Sequence, residues 1–99
     1  MAYKVIWSPK AEKTFDTVID YLQKNWTEKQ IKTFVVETQR VIHMLAKNPY
    51  MFRGSEKENI HETLITKHNL MLYQINNKEK KVELLSFFDT RKDPKKKPL

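Results

Sequence analysis

The chain has 99 residues, 39% hydrophobic and 31% charged, with one Gly, four Pro and no Cys. That composition and length describe one ordinary globular domain, not a disordered chain or a disulfide scaffold, and the missing Cys removes thiolate catalysis and Cys-ligated zinc. The net charge of +7 points to a polyanion or an acidic protein as partner. No apolar run approaches the roughly 20 residues needed to cross a bilayer. The opening residues lack the apolar stretch and small-residue cleavage site of a secretory leader. The expected compartment is the cytoplasm.

Residues 3–7 are aromatic and β-branched and predict a short strand. Ser8-Pro9 predicts a helix start, with Ser at the N-cap and Pro at N1, where its missing N–H costs nothing. Ala11, Phe15, Val18, Ile19, Leu22 and Trp26 then recur at helical spacing along one face. Thr27-Glu28-Lys29-Gln30 has the form of a capping box, so a second helix is expected to begin there. Its stripe of Ile31, Phe34, Val35, Thr38, Val41, Ile42 and Leu45 runs to about Lys47, and Asn48-Pro49 ends it because a residue before Pro is pushed out of the α region. So short a linker predicts that the two helices fold back as a hairpin over 9–47.

After a loop-like stretch around Gly54 the apolar period changes from helical to two. Residues 59–66, 69–76 and 81–88 predict three strands, with turns at Lys67-His68 and at 77–80. Simple alternation in the last strand puts Val82, Leu84 and Phe88 on one face and Leu85 and Phe87 on the other. The order β-α-α-β-β-β predicts an α+β two-layer sandwich, with the helix hairpin packed on one face of an antiparallel sheet. Strand 3–7 is expected beside the last strand. Phe15, Ile19, Leu22, Phe34, Ile42, Leu45, Leu84 and Phe88 are the expected core. A single domain over 1–94 would be followed by a basic tail, 95–99.

Three His, at 43, 61 and 68, are acid–base candidates near neutral pH. None has metal-ligand spacing, and no Gly-rich phosphate loop or Gly-x-Ser-x-Gly turn is present, so neither a metal nor a cofactor is expected. The groups suited to nucleic acid lie in the second half. Arg53, Lys67, His68, Arg91, Lys92, Lys95 and Lys96 are candidates for gripping a target or phosphates. His61, Tyr73 and Arg91 are the candidates for a metal-free ribonuclease, which needs a base for the 2′-hydroxyl, cations for the phosphorane and an acid for the leaving oxygen. The same residues serve equally for binding alone.

Residues 8–11 (Ser-Pro-Lys-Ala) after an opening strand resemble the start of RelE/ParE-type toxins. Residues 65–69, 72–75 and 84–94, ending in Arg91-Lys92-Asp93-Pro94, resemble the sheet of that superfamily, and the likeness covers essentially the whole chain. The resemblance implies a type II toxin neutralised by an acidic antitoxin. Ribosome-dependent mRNA-cleaving members carry an Arg where this chain has Ile60-His61-Glu62, and an aromatic group where it has Lys95-Lys96-Lys97. The ending resembles instead the ParE-like branch, associated with poisoning DNA gyrase. Three readings follow: a ParE-like gyrase inhibitor, a RelE-like ribosome-dependent endoribonuclease, and a non-toxic nucleic-acid-binding module or degenerate toxin.

Overall fold

The computed structural model describes residues 2–51 and 60–92. Strand β1 (Lys4–Trp7) leads into helices α1 (Pro9–Asn25) and α2 (Glu28–Lys47), a short 3-10 turn at Pro49–Met51, and strands β2 (Ile60–Thr66), β3 (Asn69–Asn76) and β4 (Lys81–Asp89). The sheet runs β1-β4-β3-β2, with β2, β3 and β4 antiparallel and β1 parallel to β4. The expected sandwich forms, with β1 beside the last strand, and the parallel β1 makes the sheet mixed.

The helix ends are set as the residue types dictate. Ser8 Oγ accepts from Ala11 N at 3.0 Å, with Pro9 next in the first turn. Thr27 Oγ1 accepts from Gln30 N at 3.4 Å, so the Thr half of the expected box forms. Both helices bury their apolar stripes on the sheet except at Trp26, which stands just past the last turn of α1 and stays exposed. Leu22, Phe34, Leu45 and Leu84 are fully inside, whereas Phe15, Ile19 and Ile42 are only partly buried at the margin.

The last strand corrects the simple alternation. Leu72 pairs with Ser86 but Tyr73 pairs with Leu84, so Leu85 is one residue more than β3 can match. A bulge of this kind resets the parity of every residue beyond it. Phe87, not Phe88, therefore joins Val82 and Leu84 on the helix side, while Phe88 pairs with Leu70 on the outer face and is half-buried.

Helix α1 satisfies the backbone groups that the bulge disturbs. Ser8 Oγ donates to Leu85 O at 3.2 Å, Ser8 N donates to Leu84 O at 3.1 Å, and Phe87 N donates to Thr14 Oγ1 at 2.9 Å. Phe87 then joins three other rings in one cluster. Its centroid lies 5.3 Å from Trp7, 5.1 Å from Phe15 and 6.2 Å from Phe34.

Truncating the two neighbours separates these parities. Phe87→Ala should cost about 3–5 kcal/mol, the usual cost of emptying an aromatic site in a core, and Phe88→Ala should cost less than about half of that. Urea unfolding of the two variants checks it, and an equal or reversed order would contradict the bulged register.

Candidate functional site

Two of the three catalytic candidates meet, but on the covered side of the sheet. His61 and Tyr73 are directly paired across β2 and β3, and their rings stack at 5.2 Å with planes 15° apart. Tyr73 is fully buried, and its hydroxyl donates to Pro49 O at 2.7 Å. Burial pushes the phenol far above its usual range. His61 is buried too, with the half-exposed Tyr50 ring edge-on to it at 5.8 Å. A hydroxyl in this position fastens the turn after α2 to the sheet.

Arg91 lies at the far end of β4 in a different network. Asp89 is fully buried and accepts from Asn69 Nδ2 at 2.8 Å, Arg91 N at 2.8 Å, Arg91 Nε at 3.2 Å and Arg91 Nη2 at 2.9 Å. Asn69 Oδ1 accepts in turn from Thr66 Oγ1 at 2.6 Å. The guanidinium also sits 4.5 Å above the Trp26 ring at the end of α1. Burial alone pushes the Asp89 carboxyl up. Hydrogen bonds from Arg91 and Asn69 and the Arg91 charge outweigh it and hold the group below the usual carboxylate range. One network thus joins the ends of β2, β3 and β4 to the elbow between the helices.

The binding candidates gather beside that network. Thr90 N and Oγ1 donate to His68 O at 2.9 and 3.2 Å, which brings the Lys67-His68 turn against the end of β4. Lys67 and Lys92 are exposed there and His68 is half-exposed, so one end of the domain groups Lys67, His68, Arg91 and Lys92. Arg53, Lys95 and Lys96 lie outside the described residues. His61 and Tyr73 do not reach this end. Among the described residues no group of His, Asp and Glu is placed to hold a metal ion, and no helix is long and apolar enough to cross a membrane.

The outer sheet face divides in two. Leu64, Leu70 and Phe88 lie in one row across β2, β3 and β4, next to Leu72. At the opposite end Lys81, Glu83 and Gln74 rim a shallow concavity of about 580 Å³ beside the 77–80 turn. The residues that sequence reasoning missed are Asp89, Asn69 and Trp26. A carboxylate two residues before an Arg at a strand end was the available signal for the first. Nothing local marks Trp26 as its neighbour.

The family model for the ParE toxin of the type II toxin–antitoxin system parDE matches residues 5–94. No curated protein matches the sequence. The fold is similar to the chromosomal ParDE system of P. aeruginosa, with TM-score 0.70 and 14% identity over 89% of this chain and 96% of that one. It is also similar to the intact E. coli RelBE toxin–antitoxin complex, with TM-score 0.63 and 11% identity over 89% and 96% of the two chains. The archaeal RelE–RelB complex of Pyrococcus horikoshii gives TM-score 0.60 and 13% identity over 90% and 96%.

Removing the cation from the Asp89 network tests its weight. The folded carboxyl titrates below its unfolded value of about 3.9, so the stability it contributes is complete above that value and is lost as pH falls below it and through the lower folded value. Arg91→Met should therefore cost about 3 kcal/mol near neutral pH, because a buried carboxylate is left without its cation. The gap to the parent should narrow as the solution is made acid enough to protonate Asp89 in the folded state, because a neutral carboxyl no longer needs the cation. Denaturant unfolding across that range checks both, and a gap that stays constant with pH would contradict the assignment.

Proposed function

The chain belongs to the ParE toxin family of type II toxin–antitoxin systems, and from that premise we propose that it arrests growth by binding DNA gyrase and is neutralised by a cognate antitoxin. The observation that carries the binding reading over a cleaving one is the placement of the three catalytic candidates. A metal-free ribonuclease needs base, acid and cation within reach of one phosphate. Here the rings of His61 and Tyr73 stack inside the sandwich, and Arg91 is engaged by Asp89.

In this reading Lys67, His68, Arg91 and Lys92 form the rim that meets the target, together with Arg53, Lys95 and Lys96 from the sequence. Arg91 contributes through its ion pair with Asp89, which braces the end of β4. The antitoxin would be acidic, matching the +7 charge, and would cover the apolar row of Leu64, Leu70 and Phe88. Structural neighbours named as toxin–antitoxin complexes support such a partner. The site of action would be the cytoplasm, where gyrase works on the chromosome.

Two assays on the purified full chain separate the readings. Supercoiling by gyrase should be inhibited in proportion to the toxin added and restored by the antitoxin, while ribosome-bound message stays intact. Message cleavage with gyrase untouched would replace this reading with the RelE-like one. Inactivity in both assays would favour a binding module or a degenerate toxin.

A further inference from the structure

Helix α2 carries a face that neither the fold nor the target rim uses. Its core side is Phe34, Thr38, Val41 and Leu45, all buried. On the opposite side Lys29, Lys32, Val36, Arg40, His43 and Lys47 recur at helical spacing, and all are exposed. At 100° per residue they fall within about 80° of arc, and from Lys29 to Lys47 they extend about 27 Å along the axis. No carboxylate falls within that arc; Glu28 and Glu37 flank it. Lys29, Lys32 and Lys47 make no ion pair within 4.0 Å among the described residues, and Arg40 is shared with Glu37 at 2.6 Å.

An ordinary solvated helix face mixes signs, as α1 does with Glu12, Lys13, Asp16, Asp20 and Lys24. The α2 stripe does not. Helix stability does not explain it either, because Lys29 and Lys32 lie near the positive end of the macrodipole, where cations are unfavourable. Val36 is the one apolar residue on the arc, which leaves a protein partner no apolar centre to bury. Four cations along about 27 Å of helix, with no carboxylate between them on the arc, suit a phosphate backbone instead.

We propose that the outer face of α2 is a binding surface for duplex DNA, gripping the phosphate backbone at the edge of the major groove. A helix about 10–12 Å across fits the roughly 12 Å major groove of B-form DNA, whereas the deep, narrow major groove of A-form RNA does not admit it. Contacts of this kind carry no base sequence, so binding is sequence-independent and salt-sensitive. The surface goes beyond the choice of target, and would hold the toxin on the DNA where that target works.

Fluorescence anisotropy with the purified full chain and a labelled random duplex of about 24 base pairs tests it without gyrase present. Four cations predict a slope of about −3.6 in log affinity against log salt, or about 150-fold weakening from about 50 to about 200 mM. The variant Lys29→Gln, Lys32→Gln, Arg40→Gln, Lys47→Gln alters only exposed side chains. With unfolding unchanged, it should bind at least about 30-fold more weakly, and its slope should fall below about one in magnitude. Lys10→Gln, Lys13→Gln, Lys24→Gln, three exposed lysines of α1, should stay within about threefold of the parent. The proposal is overturned if the parent does not bind, if the α2 variant binds like the parent, if the α1 variant loses the affinity instead, or if an RNA duplex binds as tightly as DNA. Gyrase inhibition enters none of these outcomes, so the two readings fail separately.

Discussion

Between Leu84 and Ser86 the last strand carries one residue that its neighbour cannot pair, and helix α1 makes that irregularity stable. A bulge leaves backbone groups without ladder partners, and leaving them buried would cost about 1–3 kcal/mol each. Ser8 and Thr14 supply the missing partners, one from the N-cap and one from the second turn. The same contacts fix where α1 begins against the sheet. They also turn Phe87 inward, where it joins rings from β1, α1 and α2 in a single cluster. Everything beyond the bulge inherits the new parity. Asp89 thereby falls on the covered side opposite Asn69, where a carboxylate must find a cation, and Arg91 two residues on provides it.

Much of this was legible in the residues. The Ser8-Pro9 start, the Thr27 cap and the Asn48-Pro49 stop are local chemistry, and each helix begins and ends where those residues require. The strands were equally plain, because their period differs from that of the helices and their turns are marked. What failed was parity in β4. Val-Glu-Leu-Leu-Ser-Phe-Phe reads as regular alternation with apolar residues on both faces, and nothing in those residues shows that one of them will be skipped. The choice is made by Ser8 and Thr14, more than 70 residues earlier in the chain.

The site was less legible than the fold for a related reason. His61, Tyr73 and Arg91 have side chains that chemistry can use, and residue type cannot say whether they face water. The register places the first two against the helices, and the bulge places the third beside a buried acid. Lys67 and His68 did come together with Arg91 and Lys92, because a turn between β2 and β3 necessarily lies near the end of β4. The basic side of α2 escaped notice because each residue on it is ordinary for an exposed helix. Only the structure shows that one uninterrupted arc faces away from the core.

The domain thus separates its tasks. One sheet face and the inner sides of the helices hold the fold, while its basic end and its outer surfaces take no part in that core. On the proposed reading the aromatic and imidazole groups inside are packing, and growth arrest is a matter of binding. Growth arrest on induced expression of His61→Phe and of Tyr73→Phe tests it most directly, with folding and antitoxin binding confirmed for each. Both variants should arrest growth as strongly as the parent. Loss of arrest in either one, with folding and antitoxin binding intact, would contradict it and return those groups to a catalytic role.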